Sequence, residues 1–355
     1  MINSLKRLIK DTIGHDVFMQ KKWLKNNKFH NSEYEFGYTF QVQGKYVGIV
    51  LDLAQEHQFY IQACIDLKIN YKVIDIRSAD WIRKVEESGC SIFLIWPSIY
   101  KPIQKQFWDE RLWALEQLMD KKVFPSYDLL WLYESKRKTR DWLTIKKLSH
   151  PETFVFFSKE DALQFIKTSK FPLVCKTDQG AAASGVYIIR NESQATRLVN
   201  KAFTRGLTLK NRSSNDRHQG YIIFQEYLPD CKEWRIIRVG DSYFCRLKLK
   251  KGDFHSGSGD IVWAKPPTHL LDMTREISQE FAVPNINVDY FETVDGRFLV
   301  NEIHSLWGGK VIHDAELEGR FLWNDATSTW HFEQGDFFRN RCANLRIEWI
   351  MQNWL

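Results

Sequence analysis

The chain has 355 residues, 44% hydrophobic and 26% charged, with a formal net charge of +6, which is room for two or three domains with their own cores. No apolar run approaches the roughly 20 residues that span a bilayer, the start "MINSLKRLIKDTIGHDVF" lacks the apolar core of a signal peptide, and the positive charge is too mild and scattered for nucleic acid while suiting an anionic ligand. Six cysteines, at 64, 90, 175, 231, 245 and 342, form no Cys-x-x-Cys pair; they argue against zinc and against a disulfide framework and fit the reducing cytoplasm.

Residues 1–40 are polar and weakly patterned, an appendage that opens with a short amphipathic helix carrying Leu5, Leu8 and Ile9 on one side and Lys6, Arg7 and Lys10 on the other. Over 41–134 strands and helices alternate: "KYVGIVLDL", "YKVIDI" and "CSIFLIWPS" read as strands, and "AQEHQFYIQACIDLKI", "ADWIRKVEESG" and "FWDERLWALEQLMDKK" as helices. That order predicts a small parallel sheet covered by helices. No Gly-x-Gly-x-x-Gly follows its first strand, which argues against a dinucleotide site. A second unit, 135–222, begins with a helix, "RDWLTIKKL", and contains the strands "TFVFFS", "FPLVCKT" and "GVYIIRN". A third, 223–355, opens with "YIIFQEYLPD", carries two hairpins and a helix, and ends in a Trp-rich tail with a terminal helix.

The hairpins carry the chemistry. In "VDYFETVDGRFLVNEIHSLWGG", 288–309, the Asp295-Gly296 pair is a two-residue turn signal. Folding there sets Thr293 opposite Phe298, Phe291 opposite Val300 and Asp289 opposite Glu302, with His304 on the same face as Glu302 and Asn301 on the other. Opposed carboxylates repel, so this face calls for a cation. In "EWRIIRVGDSYFCRLKLKK" the turn at Gly240-Asp241 pairs Arg238 with Tyr243, Ile236 with Cys245, Arg235 with Arg246 and Glu233 with Lys248. One face (Trp234, Ile236, Cys245, Leu247, Leu249) reads as core; the other gathers Glu233, Arg235, Arg246 and Lys248, and opposed arginines call for an anion between them. Magnesium with a nucleotide triphosphate satisfies both faces, since Mg²⁺ takes one or two carboxylates plus phosphate oxygens; the alternative is that each hairpin end is simply hydrated. Lys176 ends an apolar strand where a lysine needs a partner. It precedes "DQGAAASG", whose small residues, Gly180, Ser184 and Gly185 among them, let backbone N–H groups approach phosphate.

In this ordered spacing the chain resembles the ATP-grasp superfamily, in the branch of ADP-forming carboxylate–amine ligases such as D-alanine–D-alanine ligase and the ribosomal-protein glutamate ligases, over about 42–309 and best over 136–309. The resemblance implies an α/β (α+β) ATP-grasp fold: a small parallel-sheet domain, a lid domain and a central antiparallel-sheet domain. It implies nucleotide phosphates on Lys136 (Lys138 is the alternate) and Lys176, adenine at a hinge formed by Glu226, Tyr227 and Leu228, ribose on Glu233, and metal on Asp289 and Glu302. The family's Glu-x-Asn stands here as "EIH", so His304 replaces the usual Asn, and "SLWGG" replaces a small "SPG". The implied cofactors are ATP and Mg²⁺, with Mn²⁺ open. The implied chemistry is attack of a carboxylate on the γ-phosphate to give an acyl-phosphate, which an amine then displaces.

Arg235, Arg246 and Lys248 would face the transferring group, and the loop "HSGSGD", 255–260, offers further donors. A kinase that stops at phosphoryl transfer to a hydroxyl, and a nucleotide-binding protein without catalysis, stay open as rivals. The expected partners are a small-molecule or glycan-linked carboxylate and an amine acceptor, with Trp307 or Trp323 as a stacking platform for a sugar. A homodimer is left open.

Overall fold

The computed structural model describes residues 2–14, 17–18, 21, 35–52, 54, 56–180, 183–210, 213–250, 261–306 and 318–355. The appendage begins as helix α1 (Ile2–Ile13). Asp11 ties it to the loop after residue 210, accepting from Ser213 Oγ and Ser214 N, each at 2.7 Å. The side chains of Leu5, Leu8 and Arg7 lie outside the described residues.

The alternating segment folds as expected and goes further. Strands β1 (Gly37–Tyr38), β2 (Val47–Val50), β3 (Tyr71–Ile74), β4 (Ile92–Leu94) and β5 (Lys122–Phe124) form one sheet in the order β1-β3-β2-β4-β5. β2–β5 are parallel, and β1, from the stretch read as appendage, joins β3 antiparallel. Helices α2 (Gln58–Leu67), α3 (Trp81–Ser88) and α4 (Pro102–Trp113) connect the parallel strands, and α5 (Tyr127–Leu132) follows β5. Apolar side chains pack on both faces of the sheet, which explains the uninterrupted hydrophobic runs. β5 escaped the sequence reading because it is three residues long and lies between a helix end and Pro125.

The second sheet has the order β6-β11-β7-β8, all pairs antiparallel: β6 (Thr153–Phe156), β7 (Leu173–Lys176), β8 (Val186–Ile189) and β11 (Ile222–Glu226). Helices α7 (Lys159–Thr168) and α8 (Glu192–Thr204) cover it around Phe224, Cys175 and Val199. "YIIFQ" therefore does not open the third unit. Its Ile222 and Phe224 side chains complete the second core, and the chain leaves this sheet only after Glu226. A short pair, β9 (Leu207–Thr208) with β10 (Arg217–His218), closes the intervening loop.

The third sheet contains β12 (Lys232–Val239), β13 (Ser242–Lys248), β14 (Ile261–Trp263), β15 (Asn285–Glu292) and β16 (Phe298–His304), extended by a tail hairpin, β17 (Gly319–Asn324) and β18 (Thr329–Gln334). One face packs on helix α9 (Thr268–Ser278) through Trp234, Ile236, Cys245, Leu270 and Val288. The tail divides: its hairpin widens this sheet, whereas helix α10 (Ala343–Asn353) sends Ala343, Ile347 and Ile350 into the core of the first sheet. The other face, including its charged residues, is buried too: Glu233, Arg246, Lys248 and Asp289 are all 5% exposed or less. A hydrated hairpin end is thereby ruled out.

The loop after β7 folds back on itself. Thr177 N–H donates to Gly185 O at 2.9 Å, and a Cβ on Gly185 would lie 1.8 Å from Thr177 Oγ1 and 2.7 Å from Leu209 Cδ2. Gly185→Ala is expected to lower the unfolding free energy by about 1–3 kcal/mol through overpacking, and adding Thr177→Ala should restore part of the loss. Denaturant melts of the two variants check this; an unchanged midpoint for Gly185→Ala would contradict the fold-back.

Candidate active site

The buried face of the third sheet is organised in rows across the strands. Register places Arg246 (β13), Arg235 (β12), Asp289 (β15) and Glu302 (β16) in one row. The next row is Phe244, Ile237, Asn287 and His304. Both pairings expected for the functional ends of the hairpins, Asp289 with Glu302 and Arg235 with Arg246, are present. The far half of the β15–β16 hairpin is not as expected: Phe291 pairs with Leu299 and Glu292 with Phe298, and the register shifts between Asp289 and Tyr290. The turn is one residue longer than a two-residue loop, and a bulge at Asn301 restores the pairing beyond it. The bulge also undoes simple alternation. Asn301, expected on the opposite face, accepts a hydrogen bond from Lys176 Nζ at 3.1 Å.

The opposed carboxylates do not face each other unshielded. Arg235 grips Asp289 with two hydrogen bonds, Nε to Oδ1 at 2.7 Å and Nη2 to Oδ2 at 2.9 Å. Lys248 Nζ donates to Asp289 Oδ2 and to Glu233 Oε1, both at 2.5 Å. Lys136 Nζ lies 3.4 Å from Glu302 Oε1, and His304 Nε2 3.0 Å from Glu302 Oε2. The anion expected between Arg235 and Arg246 is thus the protein's own Asp289, on one side only; Arg246 diverges and stacks on Trp263 and Phe338, 4.8 and 4.1 Å from the ring centroids.

Burial would raise both carboxyl groups, but their cations win. Asp289 is held below the usual carboxylate range by Arg235 and Lys248, and Glu302 well below it by Lys136, His304 and Lys176. Burial pushes Lys176 down to about 8 against the attraction of Glu302, with Lys136 lowering it further. The carboxylate of Glu302, with those of Glu134 and Asp178, outweighs burial at Lys136 and raises it.

Among the described residues, Asp289, Glu302 and His304 place potential ligand atoms within 4.8 Å of one another. Two carboxylates and an imidazole suit Mn²⁺ well and Mg²⁺ through the oxygens. Asp289 Oδ2 already accepts from both Arg235 and Lys248, but Asp289 Oδ1 and each Glu302 oxygen have one such contact and keep a second lone pair.

Lys136 and Lys176 reach this point from different elements. Lys136 is the first residue of helix α6 (Lys136–Ile145), and its ammonium also donates to Gly180 O at 3.3 Å. The alternate, Lys138, is spent elsewhere, paired with Asp109 at 2.5 Å. Asp178, which the sequence reading passed over, joins the lid loop to the start of α6. It accepts from Ser135 Oγ, Arg137 N and Arg137 Nη2, all at 2.9 Å. Its position two residues beyond Lys176 and two before Gly180 was the available signal. Lys136, Lys176, Gln225, Asn301, Glu302 and His304 line one cleft between the second and third sheets.

The remaining expected residues are distributed as follows. Gly180 and Gly185 are needed inside the loop, where a Cβ on either would crowd Leu209 at 2.8 and 2.7 Å; Ser184 O accepts from Lys210 N at 2.7 Å. Glu226 uses its carboxylate on the backbone, accepting from Glu152 N at 2.9 Å. It opens the link, with Tyr227 and Leu228, between β11 and β12. Glu233 is buried against Lys248. Trp323 does not serve the site: its ring lies 4.1 Å from the Arg275 guanidinium and 5.2 Å from Trp330, by α9 on the opposite face. Trp307 and the 255–260 loop lie outside the described residues.

Residues 134–308 match the RimK-like ATP-grasp domain family. No curated protein matches the sequence. Solved structures with a similar fold include a RimK domain protein ATP-grasp from Sphaerobacter thermophilus DSM 20745, at 16% identity and TM-score 0.51 over 72% of this chain and 89% of that one. D-alanyl-alanine synthetase A from Vibrio cholerae O1 biovar eltor str. N16961 is 12% identical, TM-score 0.53, over 75% and 90%. N5-carboxyaminoimidazole synthetase from Staphylococcus aureus, complexed with ADP, is 14% identical, TM-score 0.53, over 76% and 72%. At these identities the likeness is one of fold. Over 134–308 the chain is similar to the RimK-like ATP-grasp domain, and its fold is an ATP-grasp fold.

Proposed function

We propose that the chain is an ATP-dependent, ADP-forming carboxylate–amine ligase. The observation that carries this reading is the convergence of Glu302, His304, Lys136 and Lys176 on one cleft between two sheets, with Asp289 buried beside Glu302 and His304 within ligand reach. Asp289, Glu302 and His304 would hold Mg²⁺ or Mn²⁺, which when bound supplies charge neutralisation at the phosphates. Lys136 and Lys176 now spend their charge on Glu302, Gly180 O and Asn301; they would turn to phosphate oxygens when a nucleotide enters. The adenine would meet backbone groups of 226–228, and Glu233 the ribose.

A substrate carboxylate oxygen then attacks the γ-phosphorus, the bond to the β-phosphate oxygen breaks, and ADP leaves. The amine nitrogen attacks the acyl carbon, loses a proton, and inorganic phosphate departs. Arg235 and Lys248, fixed by Asp289, present positive charge to that exchange at no cost of reorganisation. All six cysteines are free and buried, which supports placing the protein in a reducing cytoplasm. No helix among the described residues is long and apolar enough to cross a membrane.

Hydroxylamine trapping tests the reaction class. With MgATP and pooled carboxylates, including amino acids and dicarboxylates, hydroxamate should accumulate in step with ADP and phosphate, and Glu302→Gln should form neither. ADP formation without hydroxamate or free phosphate would favour phosphoryl transfer to a hydroxyl.

Lys176 gives the pH dependence. With its folded value near 8 and its unfolded value near 10.5, it loses its charge in the folded protein as pH passes 8. ATP affinity should then fall by up to about tenfold between pH 8 and 9, and Lys176→Arg should flatten that profile. The same shift makes the native state bind fewer protons than the unfolded state between those values, so its contribution to stability rises with pH there. An affinity independent of pH in wild type would remove Lys176 from the phosphate site.

A further inference from the structure

Beyond the carboxylates and lysines, the same sheet face holds polar groups that the reaction above does not use. Arg246 is fully buried, its guanidinium lies against Trp263 and Phe338, and its Nε and Nη2 make no hydrogen bond. Asn287 is fully buried as well, and neither Nδ2 nor Oδ1 has a partner. A buried donor without a partner is costly, more so when charged, so two such residues on one face are unfavourable unless a ligand completes them.

Their placement says where that ligand sits. Asn287 is two residues from Asp289 on β15 and directly opposite His304, beside the potential metal ligands. Two residues further along the same face, Asn285 Oδ1 accepts from Arg346 Nε at 2.8 Å. Arg346, on α10, is also fully buried, and stacks on Trp96 from the first sheet at 5.0 Å. Phe338, on which Arg246 stacks, packs with Cys342, Ile237 and Phe244, and Cys342 caps the helix one turn before Arg346, so both guanidinium groups flank the same corner. Arginines thus stand on two sides of this buried corner, with the amide of Asn287, which makes no hydrogen bond, one row of the sheet from the acids.

We propose that Arg246, Asn287 and Arg346 form a subsite for an oxyanion, a carboxylate or a phosphate group, carried by the co-substrate. Aromatic faces hold the Arg246 guanidinium flat and leave its edge donors free, the arrangement that recognises a planar or tetrahedral oxyanion. Burial lowers Arg246 to about 9, still charged at neutral pH. Assigning the oxyanion to the co-substrate rests on the ligase reading above; the presence of the subsite does not. The enzyme would then select an acidic molecule and hold it by a group other than the one that reacts, between the first and third sheets.

The test uses the full chain with saturating MgADP, so that the nucleotide lysines are occupied. Melting temperature is followed against inorganic phosphate and, separately, succinate, at ionic strength balanced with chloride. At least one anion should stabilise the wild type saturably, and which one does identifies the oxyanion. Arg246→Met and Asn287→Leu should each weaken that apparent affinity by about tenfold or more while melting cooperatively, and Lys176→Ala should retain it. No saturable gain with either anion, or a gain preserved in Arg246→Met and Asn287→Leu, overturns the subsite. Loss of the gain in Lys176→Ala alone puts the anion at the nucleotide lysines and overturns it equally. MgADP stabilisation, read in the same melts without added anion, reports separately on the nucleotide reading.

Discussion

The grip of Arg235 and Lys248 on Asp289 is the contact around which the rest of the site is arranged. Asp289 is fully buried on a sheet whose two faces are both covered. A carboxylate there costs several kcal/mol unless it is paired and hydrogen-bonded, and the neighbouring strands supply a bidentate guanidinium and an ammonium. With Asp289 fixed, register puts Glu302 opposite and His304 one step on, and the charge of Glu302 draws Lys136 from the start of α6. Three carboxylates (Glu233, Asp289, Glu302) thus face four cations (Lys136, Lys176, Arg235, Lys248). A bare divalent cation meets carboxylates whose charge is already neutralised. A divalent cation that arrives on a triphosphate carries net negative charge and meets a site that fits it, so nucleotide and metal binding should be strongly coupled.

The same electrostatics join the lid to the base. Asp178, in the loop after β7, takes hydrogen bonds from the first turn of α6, where a carboxylate also suits the positive end of the helix. Lys136 bonds Gly180 O in that loop, and Lys176 reaches Asn301 on β16. Each lysine therefore contacts both walls of the cleft. On the proposed reading, a nucleotide taking over those ammonium groups would exchange protein contacts between lid and base for contacts to phosphate, which would couple binding to the setting of the lid.

Much of this was legible from residues, for definite reasons. Two-residue turns at Gly240-Asp241 fix register, so every pairing between β12 and β13 could be written down. The alternation of strands and helices over 41–134 gave the parallel sheet, because hydrophobic runs between helical periods have few other uses. The extra turn residue in the 288–309 hairpin could not be seen, and neither could its compensation: the bulge at Asn301 leaves Asp289 opposite Glu302 but turns a further polar side chain toward Lys176. Apolar composition alone does not say which sheet a strand completes, hence β11. Burial of the charged face was also hidden, since α10 comes from the far end of the chain to help cover it. Arg246 was legible as a cation of the charged face; that its guanidinium turns away from Asp289 onto Trp263 and Phe338, and that Asn287 has no hydrogen bond, depends on the three-dimensional packing.

The most direct test of the central claim, that Asp289, Glu302 and His304 form a metal centre completed by nucleotide, is electron paramagnetic resonance of Mn²⁺ titrated into the protein with and without ADP. The account predicts weak Mn²⁺ binding alone and binding tightened at least about tenfold by ADP, with nitrogen coupling from the His304 imidazole that disappears in His304→Asn although the ion still binds. Mn²⁺ bound equally well without ADP, or unaffected by Glu302→Gln, would contradict it.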